Sequence, residues 1–469
     1  MTTITSPVTR SRERDRLLHW APLAVVLTGV FMAVLDFFIV NVALPQMQRS
    51  LHASASSIEW VAAGYALTTA VLLIASGRLG DRYGRRRIFS IGLAVFTLGS
   101  AACGVAPNTE ILIAGRLAQG VGGALIATNV LALLGVLYEG ADRARAMAAY
   151  ATVMGFAAVG GQLIGGALVQ LDPLGLSWRS CFLINLPIGA AGLLAARRLV
   201  PESRGVGIAS LDLPGIALTT ATLTALVLPL VEGRQLGWPA WTWISLAASV
   251  PLLAAFVWQQ RAGHRRSGFA LLDLELFRLR SFRAGLLAQT VFWVGQGSFF
   301  LILALYLQQG RGLTPLAAGG VFTVLALSYV LAAARAPALA ARHGRNVITL
   351  AAALLVAGHL LLIGAVALNG TGGSVLALFP GLLVVGVGMG LAIAPLAGGI
   401  LATLRPEQAG AAAGALSTAQ YVGSAIGVAV VGIAFFGAVH GGYGTAFQDG
   451  LWVLVAALSL VAMLSRALP

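Results

Sequence analysis

The feature that most constrains the fold is a series of apolar runs, each about 20 residues long and therefore long enough to cross a bilayer as a helix. They recur from Ala21 to Leu464 and are separated by short breaks that contain arginine or glycine. In lipid, only helices and closed barrels satisfy every backbone polar group. Since the chain is 58% hydrophobic and only 10% charged, it is far more apolar than a soluble domain. We therefore predict an all-α polytopic membrane protein embedded in a lipid bilayer.

Length and flanking residues divide these runs into about fourteen predicted spans. Their approximate ranges are 21–45, 58–77, 88–106, 110–136, 145–170, 181–200, 211–231, 241–260, 282–307, 315–339, 347–368, 374–400, 409–437 and 446–466.

The distribution of positive charge predicts the orientation of the chain. All 30 basic residues are arginine; 25 lie in one set of alternate breaks, four lie in the other set, and Arg116 lies within a span. Because arginine is enriched in cytoplasmic loops, both termini are predicted to be cytoplasmic, in a multi-pass protein of the inner (plasma) membrane. The formal net charge of +14 follows this topology, so it does not indicate binding to nucleic acid.

An internal repeat suggests how the spans are grouped. Residues 82–85 read Arg-Tyr-Gly-Arg and residues 342–345 read Arg-His-Gly-Arg, both in a predicted cytoplasmic turn between second and third spans. This echo predicts two six-helix halves with two additional helices between them. The predicted segments are a cytoplasmic arm at 1–20, a first half at 21–200, two inserted helices with a basic linker at 201–281, and a second half at 282–469.

Asp36 is the strongest candidate for a functional residue. It lies within the first span, and an ionisable side chain inside a membrane normally faces a cavity or a partner. The alternative is a structural carboxylate paired with an arginine or a helix end. Other acids, such as Glu59 and Glu110, lie at span ends or in loops, so we expect no acid other than Asp36 to lie deep within a span.

The segment 77–87, Gly-Arg-Leu-Gly-Asp-Arg-Tyr-Gly-Arg-Arg-Arg, resembles the cytoplasmic loop signature of the major facilitator superfamily. Its glycines permit a tight turn, its aspartate can face a helix N-terminus, and its arginines can contact anionic lipid. The resemblance implies the major facilitator fold and a conformational latch between the two halves. The latch residues would be Gly77, Asp81, Arg82, Gly84 and Arg85. In the second copy, Ala341 stands at the position of the acid.

The segment Leu35–Pro45 resembles the first-span motif of the fourteen-span drug/proton antiporter branch of that superfamily. Phe38 stands where the branch often has threonine. The segment Arg116–Ala124 is similar to the arginine-containing motif that the family links to proton transfer. Asp36 and Arg116 both lie in the outer parts of their predicted spans, so they could meet and couple protons to transport. For Arg116 a structural role, bonding helix to helix, is the alternative.

The segment 161–166, Gly-Gln-Leu-Ile-Gly-Gly, resembles the antiporter signature, in which proline usually follows the first glycine. Gln162 takes that place and removes a built-in helix kink. Gly161, Gly165 and Gly166 still permit close helix packing. The segment Trp178–Pro187 is similar to the entry of the sixth span in the fourteen-span branch.

Other polar and aromatic side chains in the spans could line a substrate cavity, although most such groups hydrogen-bond between helices. The candidates are Phe38, Asn41, Gln119, Asn129, Gln289, Trp293, Gln296 and Gln420. Cys103 and Cys181 are either apolar fillers or, if they meet, a disulfide. The six histidines show no ligand spacing, so no metal site is predicted.

Together these features predict a secondary active transporter that exports amphipathic drugs or natural products by proton antiport and alternating access. It would be a monomer, with the proton as coupling ion and no cofactor, and Asp36 would bind the proton or a charge on the substrate. The alternative on the same fold is an uncoupled facilitator or importer of a small metabolite, which Gln162 favours. A membrane-embedded sensor or enzyme is disfavoured, because the sequence shows no nucleophile–base pair or metal-ligand cluster. A pump driven by ATP is disfavoured too, because the chain contains no lysine and therefore lacks the phosphate-binding loop that such pumps need.

Overall fold

A computed structural model describes residues 7–172, 175–205, 212–267, 274–401 and 406–465 of the chain. This part contains fourteen helices that are long and apolar enough to cross a membrane, and it contains no strand. The predicted all-α membrane fold is therefore confirmed. The helices are α1 (Pro7–Ser50), α2 (Ala55–Tyr83), α3 (Arg85–Gly104), α4 (Thr109–Leu137), α5 (Gly140–Leu171), α6 (Asn185–Leu199, after a helical turn at Ser180–Leu183), α7 (Leu213–Glu232), α8 (Ala240–Ser267), α9 (Arg280–Leu305), α10 (Pro315–His343), α11 (Asn346–Asn369), α12 (Phe379–Leu401), α13 (Pro406–Ala438) and α14 (Tyr443–Ser465).

Short polar side chains fix where several of these helices begin. The side-chain oxygens of Ser54, Asn108 and Thr314 accept hydrogen bonds from backbone N–H groups three residues later, at 3.1, 3.0 and 3.3 Å. These caps satisfy N–H groups that have no partner within the helix. The starts of α2, α4 and α10 are therefore encoded locally.

The helix α1 begins at Pro7, so it includes much of the segment 1–20 that is predicted to be a cytoplasmic arm. Proline is tolerated in a first helical turn, where its missing N–H costs no bond. At the end of this extension, Trp20 stacks on Tyr138 with ring centroids 5.1 Å apart, and the Tyr138 hydroxyl donates to the His19 carbonyl at 3.1 Å. The first helix is thus anchored against the end of α4. Residues 1–6 lie outside the described part.

The two ends of the helix bundle differ in charge and are named accordingly. The arginine-rich face contains the start of α1 and the connection between α2 and α3, where Arg85, Arg86 and Arg87 cluster. The arginine-poor face contains the end of α1 and the start of α2. Successive helices alternate in direction between these faces.

The helices form two six-helix halves, α1–α6 and α9–α14, with α7 and α8 inserted between them. Within the first half α4 packs on α2 and α3, and within the second half α12 packs on α10 and α11. Between the halves α5 packs along α10, and α2 packs along α13. Because α10 and α13 hold the same places in their half as α2 and α5 do in theirs, the seam has an approximate two-fold symmetry.

The inserted helix α7 lies across this seam. Its side chains Leu223 and Val227 are buried in one apolar cluster with Ala66 of α2 and Ala425 of α13, so α7 contacts both halves. By contrast, α8 exposes large apolar side chains such as Trp243 and Trp258. This pattern is typical of a helix that faces lipid along most of its length.

Candidate functional site

A buried ion pair between Asp36 and Arg116 lies within the first half. The exposed fractions of the two residues are 0% and 1%. Arg116 Nη1 donates to Asp36 Oδ2, while Asp36 Oδ1 accepts from Gln119 Nε2 at 2.8 Å and from Asn185 Nδ2 at 3.0 Å. Both carboxylate oxygens are therefore satisfied by neighbouring helices of the same half.

Arg116 is held by further contacts. Its Nε donates to the Val61 carbonyl at 2.8 Å and its Nη1 donates to Gln119 Oε1 at 2.8 Å. The guanidinium carbon lies 4.6 Å from the centroid of the Tyr65 ring, which is a cation–π contact. Ser100 Oγ accepts from Gln119 Nε2 at 2.7 Å. We call Asp36, Ser100, Arg116, Gln119 and Asn185 the charge network.

The charge network is stable only as a whole. A buried ion pair offsets the loss of hydration only when additional hydrogen bonds satisfy both partners, and removal of one partner costs about 3–5 kcal/mol because a charge is left unpaired. Five helices, α1, α2, α3, α4 and α6, contribute contacts to this network. Any change in the charge of Asp36 would therefore be felt across most of the first half.

A central cavity with a volume of about 200 Å³ lies between the two halves. Residues of both halves line it, and none of them is charged. A concave, mostly apolar site with a few polar groups is the usual form of a small-molecule binding site. Nine of its lining side chains are aromatic: Phe37, Phe38, Tyr65, Tyr150, Trp293, Phe300, Phe322, Tyr329 and Tyr421.

Aromatic rings from both halves meet at the end of the cavity that is nearer the arginine-poor face. Phe38 of the first half lies edge-on to Phe300 of the second, with ring centroids 5.2 Å apart. Phe300 in turn stacks on Phe322 at 5.8 Å. These three rings form a continuous ceiling across the seam.

Beyond this ceiling, hydrogen bonds join the two halves. Gln308, in a π-helical turn after α9, donates from Nε2 to the Val42 carbonyl at 2.7 Å. Its neighbour Gln309 donates to Gln48 Oε1 at 2.9 Å. The cavity is therefore closed toward the arginine-poor face by contacts that would have to break before it could open there.

Three side chains of the cavity wall have buried polar atoms without a hydrogen-bond partner in the described part of the chain. These atoms are Nε2 and Oε1 of Gln162, Oε1 of Gln296 and Nε1 of Trp293. Gln162 is 1% exposed and Gln296 is 5% exposed. Because buried polar groups are normally paired, these atoms are suited to bind a ligand.

The structure distributes the predicted cavity residues over several places. Phe38, Trp293, Gln296 and Gln420 line the cavity. Gln162, predicted from its motif only to affect helix packing, also lines it. The remaining candidates lie elsewhere: Gln119 belongs to the charge network, Asn41 borders a smaller cavity beside Arg116, Asn129 bonds to Ser76 of α2, and Gln289 lies outside the lining.

The glycines of the 161–166 motif bring α5 close to two helices at once. A Cβ atom at Gly161 would lie 2.9 Å from Phe38 Cβ of α1, and one at Gly166 would lie 2.5 Å from the Pro315 carbonyl oxygen of α10. Gly165 packs against Ile39 in the same manner. The helix α5 runs without a break past Gln162, as expected when the proline is absent.

The predicted latch loop turns at Gly84, whose φ of 110° favours glycine. Arg85 Nη2 lies 2.8 Å from Asp81 Oδ1, while Gly77 and Arg82 lie in the last two turns of α2. Sequence reasoning missed Glu202, whose carboxylate accepts from the backbone N–H groups of Arg86 and Arg87 at 3.0 and 3.2 Å. The start of α3 is thus held by the connection between α6 and α7.

Glu59 was also missed as a candidate. It is 1% exposed, so a second acidic side chain besides Asp36 is buried in the described part of the chain. Although Glu59 lies near the start of α2, the turn between α7 and α8 covers it, and Arg234 Nη2 lies 3.5 Å from Glu59 Oε1. Gly432 of α13 packs on the carboxylate, where a Cβ atom would lie 2.8 Å from Glu59 Cδ. This second pair therefore lies at the seam.

The two cysteines are free and buried rather than joined in a disulfide. Cys103 Sγ lies 3.6 Å from Gln119 Oε1, and Cys181 Sγ lies 3.9 Å from the Gly165 carbonyl. Both therefore fill space beside the charge network and the α5 glycines.

Comparisons with known proteins agree with this geometry. The family profile described as the Major Facilitator Superfamily matches residues 26–428. The chain is 39% identical over 433 residues to the probable actinorhodin transporter of Streptomyces coelicolor, which covers 92% of this chain and 75% of that protein. It is 33% identical over 472 residues to a puromycin resistance protein of Streptomyces alboniger, which covers 96% of this chain and 92% of that protein.

The fold also matches solved structures. The crystal structure of a POT family transporter in complex with a thioalcohol-conjugated peptide superposes with a TM-score of 0.69 and 14% sequence identity. The match covers 95% of this chain and 96% of that chain. This likeness confirms the predicted arrangement of the helices.

Proposed function

The chain belongs to the Major Facilitator Superfamily, and on that premise we propose that it exports amphipathic drugs or natural products by alternating access. The observation that carries this proposal is the central cavity, which lies between the two halves and has an aromatic wall without charge. Its position is that of a site that moves between the two faces when the halves rock against each other. The names of the two relatives, a probable transporter of actinorhodin and a puromycin resistance protein, support export as the direction.

The arginine-rich face is proposed to be cytoplasmic, because arginine accumulates on that side of a membrane protein. Both termini would then lie in the cytoplasm of a cell whose inner (plasma) membrane contains the protein as a monomer. In this orientation the cavity is closed toward the outside, and a substrate would enter it from the cytoplasm or from the inner leaflet.

Proton antiport is proposed to run through the charge network, with the proton as coupling ion and no other cofactor. A proton on Asp36 would remove the negative charge that balances Arg116. Arg116 would then keep the Val61 carbonyl oxygen, the Gln119 side-chain oxygen and the rings of Tyr65 and Phe182 as partners, none of which carries a negative charge. A buried charge that loses its counter-ion has a strong tendency to move or to draw polar groups toward it.

Tyr65 and Phe37 connect the charge network with the cavity. The ring of Tyr65 contacts Arg116 and also lines the cavity. Phe37 follows Asp36 directly in the chain and lines the cavity too. Asp36 itself is not among the lining residues. We infer that protonation of Asp36 and binding of the substrate affect each other through the positions of Phe37 and Tyr65. A charged group on the substrate would then not contact Asp36 itself.

The experiment that tests the proposed function uses inverted membrane vesicles from an efflux-deficient host that expresses the chain. A panel of cationic, neutral and anionic toxic compounds first identifies a substrate through the growth of that host. We expect the vesicles to accumulate this substrate when a pH gradient is imposed, and to lose it promptly when an uncoupler is added. Vesicles from a host without the chain are the control, and equal accumulation in both would contradict the proposal.

The second candidate function is uncoupled movement of a small metabolite on the same fold. Gln162 favours it, because the antiporter motif has proline there and α5 is an unbroken helix in this chain. If this candidate is correct, substrate will equilibrate across the vesicle membrane at the same rate with and without a pH gradient, and the uncoupler will have no effect.

A further inference from the structure

Gln162 is a polar side chain of the cavity wall whose amide makes no hydrogen bond within the described part of the chain. It is 1% exposed, and both its Nε2 donor and its Oε1 acceptor lack a partner among the described residues. A buried amide can be both donor and acceptor, and leaving both atoms unpaired is unfavourable. We therefore expect the amide of Gln162 to form hydrogen bonds with a ligand when the cavity is filled.

The position of Gln162 is fixed by tight packing of its backbone. A Cβ atom at Gly319 of α10 would lie 2.7 Å from the Gln162 carbonyl oxygen, and the neighbouring Gly161 packs on Phe38. The amide is therefore presented from a rigid part of α5, beside the aromatic ceiling. A rigid donor and acceptor select ligands by geometry.

The second half contributes another set of polar atoms to the cavity wall. Trp293 Nε1, a donor, and Gln296 Oε1, an acceptor, lie about one turn apart on α9 of the second half, and both lack a partner. A ligand between Gln162 and this pair would contact both halves. The aromatic rings of the cavity wall provide flat apolar surface on which a planar ring system can stack.

The charge of the ligand follows from the charge of the wall. Asp36 and Arg116 neutralise each other behind Phe37 and Tyr65, and the lining itself contains no charged side chain. Aromatic faces alone would also attract a cation. The unpaired donor and acceptor atoms of Gln162, however, are complementary to a neutral edge that carries an acceptor beside a donor.

We propose that Gln162 is the specificity-determining residue of the cavity and pairs with the donor–acceptor edge of an uncharged, planar aromatic substrate. This assignment rests on the proposed function, since it names the substrate class of the export site. It also gives a function to the glutamine that stands where the antiporter motif usually has proline. The side-chain amide can form hydrogen bonds there, whereas a proline side chain could not.

The test uses three compounds built on one three-ring skeleton. Phenanthridinone is uncharged and carries a lactam N–H beside its carbonyl, N-methylphenanthridinone lacks the donor, and N-methylphenanthridinium is a cation. Binding to the purified full chain in lipid nanodiscs is measured by equilibrium dialysis without any gradient. We expect phenanthridinone to bind up to about tenfold more tightly than its N-methyl derivative, because only phenanthridinone can donate a hydrogen bond to Gln162 Oε1.

Variants assign this preference to one side chain. Gln162→Leu should weaken the binding of phenanthridinone about tenfold and that of N-methylphenanthridinone less, so that the preference between the two compounds is lost. Gln162→Glu keeps the size of the side chain and should reverse the preference in favour of the phenanthridinium cation. The matched control is Gln448→Leu, since Gln448 lies in α14 and donates to the Ile363 carbonyl at 3.3 Å, away from the cavity. Each variant is first checked for a single folded species by size-exclusion chromatography.

The outcomes separate this inference from the proposed function. If vesicles export a substrate but the three compounds bind equally, do not bind, or bind the same way to Gln162→Leu, the inference is overturned and the function stands. If phenanthridinone shows the expected preference and its loss in Gln162→Leu while vesicles show no gradient-dependent transport, the inference stands and the function is overturned. Tighter binding of the cation to the wild-type chain would also overturn the inference.

Discussion

The Asp36–Arg116 pair of the charge network and the polar side chains of the central cavity differ in how fully they are hydrogen-bonded, although the two regions are adjacent. In the network both oxygens of Asp36 and two nitrogens of Arg116 are hydrogen-bonded within the first half. In the cavity Gln162, Gln296 and Trp293 keep polar atoms without partners. The Asp36–Arg116 ion pair is thus satisfied without a ligand, whereas these polar side chains of the cavity are not. This difference indicates that coupling and recognition occupy separate sites, which meet at Tyr65 and Phe37.

The largest effect is expected from breaking the ion pair of the charge network. Arg116→Gln leaves the Asp36 carboxylate buried without its counter-ion, which should lower the free energy of unfolding by about 3–5 kcal/mol. The double variant Asp36→Asn, Arg116→Gln restores a neutral cluster and should recover most of this loss. Thermal unfolding of the purified chain in detergent measures both. The matched control is Arg49→Gln, because Arg49 is exposed at the end of α1.

If Arg116→Gln is no less stable than Arg49→Gln, the charge network does not depend on its ion pair and the comparison fails. A double variant as unstable as the single variant would point to the shape of Arg116, rather than its charge, as the important property.

A smaller effect is expected at the point where network and cavity meet. Tyr65→Leu removes the aromatic face under the Arg116 guanidinium, a contact of about 0.5–2 kcal/mol, whereas Tyr65→Phe keeps it. We expect Tyr65→Leu to lower the number of protons moved per substrate while substrate still binds, and Tyr65→Phe to behave like the wild type. Parallel measurements of substrate uptake and proton flux in proteoliposomes give this ratio. An unchanged ratio in Tyr65→Leu would show that the two sites do not communicate through this ring.

The smallest effect is expected on the cavity side alone. Phe38→Thr introduces the residue common in the antiporter branch and removes the ring contact with Phe300, which is worth about 0.5–1.5 kcal/mol. Because Phe38 belongs to the ceiling, substrate affinity should fall severalfold, while the stoichiometry of proton coupling should stay constant. Equilibrium binding and flux measurements on the same preparation separate the two. A change in stoichiometry with no change in affinity would reverse the roles assigned to the two regions.

Much of the fold could be predicted because the bilayer imposes simple rules. Apolar length fixes the number of helices, and the arginine pattern divides their ends into two faces. The contact between Asp36 and Arg116 could be expected as well. Opposite charges at similar depth in the membrane are stabilised when they pair, because neither is solvated there.

Which way a side chain faces could not be read from the sequence. Gln119, Asn129 and Gln162 all lie in long apolar helices, but only Gln162 lines the cavity. The rotation of each helix is set by its closest contacts, such as Gly161 on Phe38, and these depend on the partner helix as much as on the motif.

The burial of Glu59 escaped prediction for a related reason. Near the start of a helix a glutamate is normally hydrated, and only the turn between α7 and α8, with Arg234, covers this one. Such a long-range contact leaves no periodic signal. The one sequence feature that could have indicated a buried acid near this turn is Arg234, because few arginines lie on the arginine-poor face.

The central claim, that coupling runs through Asp36, is tested most directly by substrate-driven proton flux in proteoliposomes that contain a pH-sensitive dye. Asp36→Asn is compared with the wild type and with Glu110→Gln, which changes an exposed acid in the first turn of α4. Because asparagine cannot take up a proton, we expect Asp36→Asn to bind substrate in nanodiscs but to show no proton flux when substrate is added, while Glu110→Gln matches the wild type. Undiminished proton flux in Asp36→Asn would contradict the claim and direct attention to the second buried carboxylate, Glu59.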